Sequence, residues 1–175
     1  MKKSIILSLF LFSTISLFSQ RETYTEDLFT RKGRVLVETG YNLIGGIGAG
    51  GTGFTSYSQN DETITSIGAE GGYFITEDLA LKIAISAITA NDNTLSSTAI
   101  GLKYYIIGKI PVDLTYGRLS NGDDSAGLGN FSVGYAVGLA DNITLEPSIG
   151  LLFGDEDGIG EDPVGKFSLK FAMFL

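Results

Sequence analysis

The residues able to do chemistry in this 175-residue chain are few in kind. It has no histidine and no cysteine, which excludes imidazole acid–base catalysis, thiolate nucleophiles, disulfides and the common zinc ligand sets. Carboxylates, amines and hydroxyls remain. Acidic residues outnumber basic ones 20 to 12, for a formal charge of −8, so nucleic acid is not expected as a partner. Two sets of charges need explaining. In GDEDGIGED (154–162), Asp155, Glu156, Asp157, Glu161 and Asp162 offer hard oxygen ligands for a divalent cation. Their spacing departs from the EF-hand loop, and a solvated acidic loop is the simpler reading, as it is for NGDDSAG (121–127). The second set is dispersed: Glu38, Glu70, Lys82, Lys103, Asp113, Glu146 and Lys170. No reactive pair follows from their spacing, so the question becomes what brings them together.

The elements that carry them alternate with a period of two. Strands are expected at 34–44, 63–75, 79–89, 98–107, 111–119, 131–140, 143–153 and 165–175. In RVLVETGYNLI, for example, Val35, Val37, Tyr41 and Leu43 share one face, and Leu36, Glu38, Gly40 and Asn42 the other. No stretch has a capped helical apolar period. Pro147 lacks a ladder donor and marks a local bulge in the seventh strand. The connections 76–78, 108–110 and 141–142 are tight. Those at 45–62, 90–97, 120–130 and 154–166 are longer and polar or glycine-rich, and the two kinds alternate. The glycines of GGIGAGG (45–51) are not a phosphate cradle, because no helix follows to offer its N-terminus.

The two strand faces differ in kind. One is bulky and apolar, and carries Tyr41, Tyr73, Tyr104, Tyr116, Tyr135, Phe153 and Phe167. The other is mostly Gly, Ala and Ser, and the seven dispersed charges fall on it. A water-exposed sheet face would be rich in charged residues and Thr. Small side chains instead suit the cramped interior of an eight-stranded barrel. The bulky face then lies outside in hydrocarbon, and the charges pair inside as a network that fills the lumen. Ahead of the barrel, MKKSIILSLFLFSTISLFSQ has the charged start and short apolar run of a Sec-type secretory signal. Its apolar part is too short to span a bilayer as a helix. The expected organisation is a signal peptide over 1–19, a short periplasmic segment over 20–33 and the barrel over 34–175.

In GKFSLKFAMFL, alternation runs to the last residue, as suits a closing strand. From signal segment to terminal strand, the chain resembles the small outer-membrane β-barrel proteins of the OmpA/OmpX-like group of Gram-negative bacteria. The resemblance implies an all-β, eight-stranded, antiparallel up-and-down transmembrane barrel in the outer membrane, monomeric and without a cofactor. It implies outer-membrane lipid and lipopolysaccharide as surroundings, and the outer-membrane assembly machinery as a partner during biogenesis. In such proteins the terminal strand is the assembly signal, a role that falls here on Phe167, Phe171, Met173 and Leu175. The family usually ends on an aromatic residue, whereas this chain ends on Leu175 with Phe174 at the opposite parity. A filled lumen argues against a general porin. The reading is a structural or surface-interaction protein acting through extracellular loops, with a narrow solute or ion conduit as the alternative. Lipid-modifying members of such families use a Ser or Asp assisted by His, so enzyme activity is not expected here.

Overall fold

The structure, a computed structural model, describes residues 29–44, 52–59, 62–90, 93–122, 124–154 and 163–175. The expected signal peptide, residues 20–28, the glycine run 45–51 and acidic residues 155–162 lie outside them. Ten antiparallel strand segments follow one another: β1 Val35–Ile44, β2 Gly53–Gln59, β3 Glu62–Phe74, β4 Leu79–Ala90, β5 Asn93–Ile106, β6 Ile110–Asn121, β7 Asp124–Gly134, β8 Val137–Ala140, β9 Ile143–Gly154 and β10 Val164–Phe174. They form the eight staves of one closed barrel, because two staves are each made of two segments.

The first split stave lies between β10 and β3. One edge of β1 pairs along β10, from Leu36 with Phe174 to Ile44 with Phe167. Its other edge pairs only Val35–Glu38 with Tyr73–Glu70 on β3. Beyond that point β2 takes over the edge of β3, from Gly53 opposite Gly68 to Gln59 opposite Glu62. Thr52 makes the handover. Its N–H donates to the Glu38 carbonyl at 2.7 Å, and its hydroxyl donates to the Glu70 carbonyl at 3.1 Å and accepts from the Glu70 N–H at 3.0 Å. The sequence reading put residues 53–59 in a loop. GFTSYSQ has almost no apolar alternation, and its strand exists through pairing with β3.

The second split stave is β7 plus β8, expected as one strand over 131–140. It breaks at Tyr135 and Ala136, opposite Pro147 on β9. Proline has no N–H to give the ladder. The chain keeps one bond there, Tyr135 N–H to the Pro147 carbonyl at 3.0 Å, and turns the Ala136 N–H to the Lys109 carbonyl at 2.7 Å. The expected bulge is not found at the proline: Gly134 opposite Ser148 and Val137 opposite Leu145 keep one register, and the shift comes further along β8, between Gly138 and Ala140.

The alternation of short and long connections does not hold. β4 and β5 are separated only by residues 91–92, and β6 and β7 only by residues 122–123. Strand pairing continues through the polar stretches read as loops, with Thr94 opposite Thr89 and Ser125 opposite Ser120. Thr and Ser of this kind pair well across strands, and polarity alone hid them.

Register supplies the stagger that a barrel requires. From Ile44, the paired residues run through Phe167, Ile149, Val133, Val112, Tyr104 and Leu79. Leu79 accepts from Ile75, and the path returns beside Gly33, at the opposite end of the first stave. Close approach of the strands depends on small residues. An ideal Cβ at Gly117 would lie 2.0 Å from the Thr98 carbonyl oxygen, and one at Gly129 2.0 Å from the Phe153 ring that covers it.

Burial is inverted relative to a water-soluble barrel. Ile67, Ile83, Ile85, Ile100, Leu114, Phe131, Ile149 and Phe171 are all at least 40% exposed. Tyr73, Tyr104, Tyr116 and Tyr135 join them on the outer face. An apolar band of this extent on every stave is far larger than the patches soluble monomers expose, and it is the surface a bilayer requires. Ile83→Arg is therefore expected to cost about 2–4 kcal/mol in lipid vesicles. Asn121→Arg, at a hairpin tip, should stay within about 0.5 kcal/mol. Urea unfolding of the two variants in the same vesicles checks this.

A buried charge layer as the candidate functional site

The inner face of the barrel collects the seven charges singled out from the sequence. Strand alternation alone puts Glu38 of β1, Glu70 of β3, Lys82 of β4, Lys103 of β5, Asp113 of β6, Glu146 of β9 and Lys170 of β10 inside. Six are buried to 7% exposure or less, and the Lys170 side chain is 13% exposed. Which charge meets which depends on barrel closure, because the partners lie up to 100 residues apart.

Lys82 is the centre. Its Nζ lies 2.5 Å from Glu38 Oε2, 2.6 Å from Glu70 Oε1 and 2.5 Å from Asp113 Oδ2. Lys103 Nζ bridges Glu38 Oε1 and Glu146 Oε2, both at 2.5 Å. Lys170 Nζ reaches Glu70 Oε1 at 2.8 Å and Asp113 Oδ2 at 3.6 Å. Two hydroxyls complete Glu146, whose Oε1 accepts from Tyr105 at 2.8 Å and from Thr144 at 2.9 Å. A cavity of about 10 Å³ beside Asp113, with Ser132 and Ser148 on its wall, has room for about one water molecule. The Asn130 amide donates to Thr115 at 3.3 Å on the same inner face.

This arrangement is chemically quiet. Glu38, Glu70 and Asp113 stand close enough together to hold a metal ion, but the Lys82 ammonium occupies the centre, and Lys103 and Lys170 supply further positive charge from either side. No hydroxyl in the layer is paired with a histidine base, since the chain has none. Each carboxylate is clamped by at least one lysine.

Below the charges lies a second seal that the sequence reading did not recognise. Phe74, Tyr105 and Phe174 point inward and are fully buried, with ring centroids 6.0 Å apart in each pair. Leu36, Ala80 and Ala172 pack with them. The Lys103 ammonium lies 5.0 Å from the Tyr105 ring centroid and links the two layers. Phe174, which departs from the expected terminal pattern, is thus an interior residue. Parity placed Tyr105 and Phe174 on the inner face, but nothing local says that three aromatics from β3, β5 and β10 converge.

The other terminal-strand residues face outward: Phe171, Met173 and Leu175 are 45%, 36% and 59% exposed, and Phe167 is half-buried. Residues 29–34 pack against this end of the barrel. Phe29 packs on the Phe174 ring with centroids 5.4 Å apart, Thr30 is buried, and Gly33 donates to the Phe74 carbonyl at 2.9 Å.

No family model and no curated protein matches the chain. Among solved structures it is similar to a de novo designed transmembrane β-barrel, with 13% identity and a TM-score of 0.45 over 83% of this chain and 98% of that one. It is similar to the outer-membrane protein Ail of Yersinia pestis in a phospholipid bilayer nanodisc, with 10% identity and a TM-score of 0.47 over 82% and 100%. OmpT of Vibrio cholerae, outer-membrane expressed, gives 10% identity and a TM-score of 0.35, covering 82% of this chain and half of that one.

Removing one member of the charge layer leaves its partners buried and uncompensated. Lys103→Met is expected to cost about 3–5 kcal/mol. Combining it with Glu146→Gln should cost less than the sum of the two single changes, by about 0.5–3 kcal/mol of coupling. Equilibrium unfolding of the four members of this double-mutant cycle provides the measurement.

Proposed function

We propose that this chain is an integral outer-membrane protein of the small OmpA/OmpX-like type, exported through a Sec-type signal peptide, whose barrel is a sealed structural unit. The observation that carries the reading is the inverted burial: an apolar outer wall around a lumen filled by paired charges and clustered aromatics. In hydrocarbon, a wall of this kind gains the burial it lacks in water. In the lumen, seven interlocked charges leave no continuous polar path, which favours a closed barrel over the narrow conduit.

In this reading the protein is not an enzyme, and its exchange with the surroundings takes place outside the hydrocarbon. A tilted strand needs about 9–11 residues to cross it, whereas β5 has 14 and β4 and β6 have 12 each. The β4–β5 and β6–β7 hairpins therefore carry their polar tips beyond the membrane as ordered β-ribbons, not as floppy loops, and present an interaction surface there. Lipopolysaccharide and phospholipid surround the barrel, which works as a monomer. The outward residues Phe167, Phe171, Met173 and Leu175 serve as the recognition strand for the assembly machinery.

The test is to refold the chain from residue 20 in detergent and compare boiled with unboiled samples by electrophoresis in SDS. A faster-migrating unboiled band is expected from a compact SDS-resistant barrel. The same sample in a planar bilayer should show no stepwise conductance. A water-soluble protein without a heat shift would overturn the membrane reading. Steady single-channel steps would overturn the sealed lumen and leave the conduit.

A further inference from the structure

The end of the barrel that carries the β3–β4 turn is covered by a segment that belongs to no strand. Residues Phe29–Arg34 fold over the mouth and are held at several separate points. Phe29 rests on Phe174, the outermost ring of the aromatic cluster. The Thr30 hydroxyl donates to an Asp78 carboxylate oxygen. The Thr30 carbonyl accepts from the Asp78 N–H at 2.8 Å. Those two bonds use the hydroxyl and the carbonyl of Thr30, which helps a threonine outside the barrel wall tolerate 4% exposure.

The receiving turn is shaped for this. Asp78 has φ of +64°, a conformation that aspartate adopts more readily than most residues. Its own carbonyl accepts from the Tyr105 N–H at 2.9 Å, so the turn is bolted to β5 as well as to the segment. At the other end the segment reverses at Gly33, whose φ of +94° favours glycine. Gly33 and Arg34 then pair with Phe74, and Val35 exchanges bonds with Leu175 at 3.0 and 2.8 Å. The segment therefore connects the first stave, the β3–β4 turn and the last residue of the chain.

We propose that residues 29–34 are a strap that closes the turn-side mouth, with Phe29 as its stopper, and that undocking the strap admits water to the aromatic layer beneath. The segment forms no strand ladder of its own, whereas continuous ladders hold the wall. Local release is thus cheaper than opening the barrel. The wall, the charge layer and the strap are then separate devices, and the strap is the one that can move alone.

The absence of cysteine allows a clean test. Ala80→Cys places a thiol at a fully buried site in the layer under the strap. Ser97→Cys places one at a half-buried site on the inner face towards the opposite end. Each single-cysteine protein is folded in detergent micelles, and its reaction with a sulfonated, membrane-impermeant maleimide is timed. Adding Phe29→Ala is expected to speed labelling at position 80 by about tenfold and to leave position 97 within about twofold. Thr30→Val, which removes only the hydroxyl on Asp78, should give a smaller rise at position 80. Unchanged labelling at position 80 in both variants overturns the proposal, because the ring cluster then seals the mouth unaided. Equal rises at positions 80 and 97 overturn it too, because the whole barrel has then loosened.

Discussion

An ammonium group surrounded by three carboxylates, out of reach of water, is the interaction on which the rest of this structure depends. Lys82 draws Glu38, Glu70 and Asp113 onto one point from three different strands. Lys103 and Lys170 extend the clamp to β5, β9 and β10. Seven of the eight staves thus contribute a charge, and the eighth contributes Ser132 to the wall of the adjoining cavity. Buried ions are costly to desolvate and are retained only where every one is paired. The layer therefore works as a cross-brace that is satisfied in one registration of the strands and in no neighbouring one, since a shift of one residue would turn each charge to the outer face.

That brace explains the composition around it. Long lysine and glutamate side chains need space in a lumen of eight strands, and Gly101 and Gly150 lie on the same inward face as the charges. The volume left over is filled from below by Phe74, Tyr105 and Phe174. The apolar residues that a soluble protein would use as a core are displaced to the outside, where hydrocarbon replaces the missing protein partner. The interior is held by electrostatics and aromatic packing, and the exterior by the solvent in which the wall sits.

Tertiary pairing overrode local reading at identifiable places. Polar residues 93–97, 120–121 and 124–130 look like loops, yet each finds a strand partner, so their backbone groups are satisfied in ladders. Residues 53–59 became a strand because β1 leaves the edge of β3 after Glu38 and Thr52 hands that edge on. Pro147 suggested a bulge, but the register runs unchanged past it; the facing strand is instead interrupted at Tyr135 and Ala136, and the Ala136 N–H reaches Lys109. Phe174 looked like a defect in a terminal pattern until three other rings met it.

The sequence by itself determined the period of two, the contrast between a bulky and a small face, and the placement of seven charges on the small one. These are properties of each strand alone, because alternation sends neighbouring side chains to opposite faces whatever the strand pairs with. It could not determine which carboxylate meets which lysine, how the aromatic rings converge, or that Thr30 and Asp78 would bind a strap across the mouth. Those contacts join residues 12 to 100 positions apart. Their geometry is set by the stagger with which the sheet closes, a property of all eight staves together and of none alone.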